Sequence, residues 1–139
     1  MTEPKSPDAR RETRAPFFAY CSIERTIGEG GVARNRVEIV PHLSNSSGAA
    51  HGGLLMTMLD SALAGAARSI VSDDHGMMTI DMQAAFLTPG RGVLTGEGRV
   101  VRGGKTLIFC EGEIRNEAGH IVARATGVFS PRRPRAEKP

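Results

Sequence analysis

The sequence predicts an α+β fold in which one long, mostly buried helix is wrapped by a curved antiparallel sheet. Three observations carry this. Residues 54–71 contain no proline and one interior glycine, Gly65, in a run rich in Ala, Leu and Met, which is a helix composition. Four long segments follow, residues 77–87, 92–102, 106–116 and 120–130, each with strand character. Two more strands are expected before the helix. A helix this apolar needs cover on most sides, so the sheet must curl around it.

Residues 1–16 are Pro- and charge-rich and are expected to be partly disordered, with Phe17-Phe18 at the edge of the folded part. Residues 17–130 should form one domain and residues 131–139 a basic, Pro-rich tail. Residues 21–27 read as a strand, 28–31 as a Gly-rich turn and 32–40 as a second strand. In that second strand Ala33, Val37 and Ile39 share one face, opposite Arg34, Arg36 and Glu38. Pro41 ends it. Winding the helix at about 100° per residue gathers Thr57, Ser61 and Arg68 into a polar stripe, while Leu54, Leu55, Met58, Leu59, Ala62, Leu63, Ala66 and Ile70 cover most of the rest. Residues 72–76 close the helix, and Glu117-Ala118-Gly119 makes the last hairpin turn. The order is β-β-α-β-β-β-β, without internal repeats.

The helix carries one carboxylate that needs a reason. Asp60 lies about 80° off the polar stripe, among Met56, Ala64, Ala67 and Val71, and should be poorly solvated. Such a group is either unusually basic or held ionised by specific donors, and both conditions suit a general base or a nucleophile. The structural alternative is an Asp satisfied by Arg68 or Ser61. Gly52 and Gly53 stand at the helix start, where backbone N–H groups lack partners and the dipole favours negative charge. They could form an oxyanion site, or simply give the chain the freedom to enter the helix. Eight residues of helix separate Gly52 from Asp60, about 12 Å along the axis. One carbonyl cannot touch both, so if both act in one reaction they come from two copies. That predicts an obligate dimer with antiparallel helices side by side and two composite sites.

Taken together, Asn45, a loop containing Gly48, His51-Gly52-Gly53 and Asp60 resemble the hotdog-fold acyl-CoA thioesterases of the PaaI-like branch. Thr79-Ile80-Asp81-Met82 is similar to the family's third strand, with a one-residue shift in the preceding loop, and Gly104-Lys105-Thr106-Leu107 to its fifth. The resemblance covers roughly residues 17–130. It implies hydrolysis of an acyl-CoA thioester, with Asp60 activating water or attacking the thioester. The Gly52 amide and the Asn45 side chain would polarise the carbonyl, Thr79 would help hold water, and His51 would line the mouth. It further implies a homo-oligomer, at least a dimer, with a tetramer built as a dimer of dimers. CoA phosphates would be held at exposed basic positions of a neighbouring subunit, for which Arg102 and Lys105 are the candidates, with Arg91 behind them. Gly53, Met56 and Phe86 would contact substrate, the last two in an apolar tunnel. A thioester is a good electrophile with a good leaving group, so one base and two oxyanion donors suffice, with no cofactor.

Other readings are weaker. His42, His51, His75 and His120 lack close metal-ligand spacing, and Cys21 and Cys110 are not paired as Cys-x-x-Cys, so no metal is expected. Two cysteines and no apolar run of transmembrane length suggest a soluble cytoplasmic protein with no membrane partner. The net charge of +3 comes from the two ends, leaving the body near neutral, and with no Trp and one Tyr a nucleic-acid face is not expected. Val100 to Thr106 reads V-V-R-G-G-K-T but lacks phosphate-loop spacing and precedes a strand. Asp81 should brace the helix or a turn. Two alternatives remain: a non-catalytic acyl-CoA binder, and a hotdog hydratase or dehydratase, whose His loop and Glu-bearing helix are missing.

Overall fold

The computed structural model describes residues 15–133. Residues 1–14 and 134–139, where most of the expected disorder was placed, lie outside the described residues. The elements are α1 Pro16–Tyr20, β1 Glu24–Arg25, β2 Val32–Glu38, a 3-10 turn at Pro41–Leu43, α2 Gly52–Arg68, β3 Gly76–Phe86, β4 Val93–Gly103, β5 Ile108–Arg115 and β6 Ile121–Arg132. All six strands join one antiparallel sheet in the order β1-β2-β4-β5-β6-β3. The curved sheet half encloses α2, the hotdog arrangement expected.

Several boundaries differ from the sequence reading. Residues 16–20 wind into α1, started by Pro16 in its first turn, so the strand expected over 21–27 shrinks to Glu24–Arg25. The long helix begins two residues early, on the glycines, and stops at Arg68. The last strand runs on through Pro131 and Arg132, residues expected in the tail. Beyond Phe129 that strand has left β5 and pairs only with β3, so the missing N–H of Pro131 breaks no second ladder.

Strand alternation builds the core. Along β4 the inward residues are Leu94, Gly96 and Gly98, and along β5 they are Ile108, Cys110, Gly112 and Ile114. Phe129, Met58, Leu59, Leu63 and Val122 fill the space between helix and sheet. The glycines set the depth at which α2 sits. A Cβ on Gly98 would overlap the Ala62 carbonyl oxygen, and one on Gly112 would stand 2.7 Å from Leu63 Cδ1. On Gly127 it would lie 2.8 Å from the Phe129 ring. Backbone therefore meets helix where any side chain would hold it away.

One buried polar group escaped the sequence reading. Asn35 faces inward from β2, and its Nδ2 donates to the Met58 carbonyl oxygen at 2.7 Å, pinning α2 to the sheet. Its Oδ1 occupies the place a side chain at Gly96 would take. Outward, Arg99 donates to both oxygens of Glu113 at 2.9 and 2.7 Å and to Glu97 at 3.1 Å. The Arg99 guanidinium holds the Glu113 carboxyl below the usual carboxylate range, against the opposing effect of burial. Asp81, expected as a brace, is exposed on the outer face and makes no hydrogen bond or ion pair among the described residues. No helix among the described residues is long and apolar enough to cross a membrane.

Gly98→Ala is expected to cost about 1–3 kcal/mol through overpacking, read as a lower urea midpoint. Gly52→Ala, whose Cβ would meet nothing within 4 Å, should leave the midpoint in place. Because the folded-state pKa of Glu113 is depressed, its contribution is complete above the unfolded carboxylate value, about 4.3, and is lost as pH falls through the folded value. Glu113→Gln should therefore be less stable than wild type at pH 7, with the gap closing under acid in pH-dependent urea titrations.

Candidate active site

The approach to α2 is a tightly hydrogen-bonded loop. Ser44 and Ala50 form an isolated bridge, and between them residues 45–48 make a turn closed by Gly48 N–H donating to the Asn45 carbonyl at 3.0 Å. Gly48 sits at φ +78°, in the left-handed region that glycine adopts without strain. The Asn45 side chain is part of this turn, since its Oδ1 accepts from Ser47 N–H at 2.9 Å and Ala49 N–H at 3.2 Å. Two N–H donors on one atom fix which end of the carboxamide is oxygen. The Nδ2 end finds no acceptor among the described residues and remains a free donor.

His51 is the N-cap of α2. Its backbone is extended, and its Nδ1 accepts from Gly53 N–H at 2.9 Å, closing one of the open donors at the helix start. The ring crowds Gly53, where a Cβ would be 3.0 Å from Nδ1. The paired glycines thus differ in purpose: Gly53 makes room for the cap, and its amide is occupied. Gly52 faces open space, and its N–H has no acceptor among the described residues. Asn45 and Gly52 line the same open cleft of about 380 Å³, with Leu55, Phe86, Pro89 and Arg91. Two unengaged N–H donors above an apolar floor can receive a carbonyl oxygen that gains charge.

Asp60 lies elsewhere on the helix. Of the expected polar stripe, Thr57 and Arg68 are half-buried while Ser61 is buried. Met56, Asp60 and Ala64, spaced four apart, form a half-buried flank beside them. The sequence reading offered Arg68 or Ser61 as partners for Asp60. The structure gives Thr79, whose hydroxyl donates to Asp60 Oδ1 at 2.6 Å. A β-bulge between Thr79 and Asp81 falls at this point of the β3–β6 ladder. Thr79 opposite Phe129 and Met82 opposite Gly127 both remain on the helix side across it. That hydrogen bond leaves the second carboxylate oxygen unclaimed by Thr79.

The single chain therefore brings Asn45, Gly52 and Phe86 together, and separately Asp60 and Thr79. It does not bring the two groups together. Met56 lies half-buried on the Asp60 flank one turn nearer the helix start, while Arg102 and Lys105 are exposed at the end of the β4–β5 hairpin remote from Asn45. Arg91, the weakest of the basic candidates by sequence, is the one that reaches the cleft. Its signal was available only as an arginine within a loop of Pro89, Gly90 and Gly92, which says nothing of where the loop packs. Cys110 is buried in the core, where desolvation pushes its thiol up to about 11, so it is a packing residue.

Comparison with known proteins supplies the family. The Thioesterase superfamily matches residues 47–123, a span that includes Gly52, Asp60 and Thr79. A protein named as an esterase in Saccharolobus solfataricus is 32% identical over 112 residues, covering 80% of this chain and 79% of its own. A Bacillus halodurans protein crystallised with CoA superposes with a TM-score of 0.80 at 29% identity, over 91% of this chain and 86% of that one. The Escherichia coli PaaI protein, from the phenylacetic acid degradation operon, shares the fold with a TM-score of 0.79 at 23% identity, over 88% of this chain and 89% of its own. The chain belongs to the thioesterase superfamily, as a hotdog-fold thioester hydrolase.

Proposed function

We propose that the protein hydrolyses acyl-CoA thioesters at two composite sites, each built from the Asp60–Thr79 pair of one subunit and the Asn45–Gly52 cleft of its mate. The observation that carries this is the separation of two complementary half-sites on one straight helix. A carboxylate held by Thr79 stands about 12 Å from the unengaged amide of Gly52, yet hydrolysis requires base and oxyanion donors within about 3 Å of one carbon. The acyl-CoA reading is supported by the CoA in the Bacillus halodurans relative.

Asp60 acts as general base in this reading. Its carboxylate takes a proton from water as the water oxygen bonds to the thioester carbon. The resulting oxyanion is received by Gly52 N–H and Asn45 Nδ2. As the C–S bond breaks, CoA leaves as thiolate and recovers a proton, and the acid is released. Thr79 orients the carboxylate, which differs from the water-holding role the family resemblance implied. His51 holds the helix start, and Phe86 with Leu55 offers the acyl group an apolar wall.

Dimerisation is favoured by the sheet edge. β3 is an edge strand of eleven residues, while the opposite edge, β1, has two. Unpaired N–H and C=O groups along so long an edge are satisfied when a second β3 pairs across a two-fold axis. That pairing would set the Met56–Asp60–Ala64 flanks of two helices side by side, with Arg102 and Lys105 available to the CoA of the neighbouring site. Assembly of such dimers into a tetramer, and a cytoplasmic location, complete the reading.

Asp60→Asn is expected to reduce thiol release from aromatic and straight-chain acyl-CoAs by more than about a hundredfold while leaving CoA binding and the urea midpoint close to wild type. Equal rates would reject the base, and binding without release by the wild type would leave a binder. Asn45→Asp keeps the Oδ1 that closes the turn but replaces the donor with a second oxygen, so its rate should fall similarly. If sites are composite, mixing unfolded Asp60→Asn and Asn45→Asp chains and refolding them together should restore about a quarter of wild-type activity, because half the dimers then hold one intact site. No recovery from the mixture would place both groups within one chain's site.

A further inference from the structure

We infer that Arg91 is a positioning residue for the oxyanion donor, acting through the Asn45 turn; this rests on the function proposed above. Arg91 lies in the loop between β3 and β4, which is joined to the helix-start loop by Ala50 N–H donating to the Gly90 carbonyl at 2.8 Å. From there its Nη2 donates to the Ser47 carbonyl at 3.1 Å. Its Nη1 lies against Gly48, 3.4 Å from where a Cβ would be.

Three successive N–H groups, those of Ser47, Gly48 and Ala49, all point to Asn45: the first and third to its Oδ1, the second to its backbone carbonyl. The Ser47–Gly48 peptide is the middle of this arrangement, and its carbonyl is the atom that Arg91 holds. Asn45, Ser46, Ser47 and Gly48 are all exposed, so the turn is held by hydrogen bonds, the Asn45 N–H to the Ala49 carbonyl at 2.7 Å among them, and the guanidinium supplies the side-chain contact from outside the loop. A guanidinium gripping the outside of the turn while the turn grips the carboxamide makes one continuous chain from Arg91 to Nδ2. Glycine at position 48 is needed twice, for the φ of +78° and for the room the guanidinium occupies.

Misplacing a catalytic donor by about 1 Å can cost a hundredfold in rate. Arg91→Ala is therefore expected to lower kcat for acyl-CoA hydrolysis by about tenfold or more, with KM changed less than about twofold. Arg91→Lys, which can restore one hydrogen bond to the Ser47 carbonyl, should recover part of the loss. The decisive measurement is a double-mutant cycle on kcat with Asn45→Ala. Arg91→Ala should add nothing once the carboxamide is gone. A raised KM with unchanged kcat, or penalties that multiply in the double variant, would overturn the inference and leave Arg91 a substrate-charge contact or a general stabiliser. If Asn45→Ala itself keeps full kcat, the oxyanion assignment fails first and Arg91 has no donor to position. Urea midpoints of all four proteins separate these outcomes from loss of folding.

Discussion

The steric closeness of α2 to the sheet governs this molecule. The helix rests on strand backbone at Gly98 and Gly112, and the Gly98 position admits no side chain without displacing the Ala62 carbonyl. Once the helix is that deep, the large residues flanking the glycines, Leu63, Met58, Leu94 and Phe129, can close around it with no exposure. Asn35 then reaches the Met58 carbonyl, a hydrogen bond that works only at this depth. The sheet must bend to follow the helix, and β-bulges in the β3–β6 and β4–β5 ladders lie in strands that make the bend.

Depth also decides what the helix can offer chemically. With most of its circumference buried, α2 has only one flank for function, and Asp60 stands on it beside Met56 and Ala64. The small and flexible neighbours leave the carboxylate approachable, while Thr79 from β3 sets its orientation. The start of the same helix carries the opposite kind of group, an amide with no acceptor among the described residues. Rigid helix geometry keeps the two apart within a chain, and a two-fold related helix running the other way is the simplest object that brings them together.

The loop before the helix shows how short polar residues can be used twice. Asn45 closes a turn with its oxygen and, by doing so, commits its nitrogen to face away from the turn's own donors. His51 caps the helix and thereby removes Gly53 from the set of free amides. What remains, Gly52 N–H and Asn45 Nδ2, is selected by the local hydrogen bonding that surrounds it.

Much of this was written in the chain itself. The proline-free Ala/Leu/Met run, the alternation along four strands and the turn at Glu117-Ala118-Gly119 fixed the helix, the strands and their order, because periodicity and backbone freedom are local properties. The spacing of Asn45, His51-Gly52-Gly53 and Asp60 likewise marked the candidate groups. Sequence placed Met56 and Ala64 beside Asp60 but not its hydrogen bond with Thr79, since a helical wheel describes one helix and Thr79 arrives from a strand nineteen residues later. It gave no sign of Asn35 as a buried pin, because alternation alone reads a polar inward position as an interruption. It ranked Arg91 last. Which arginine reaches the cleft and which flank of the helix stays open depend on contacts between distant segments. Those were decided only when the sheet closed around the helix.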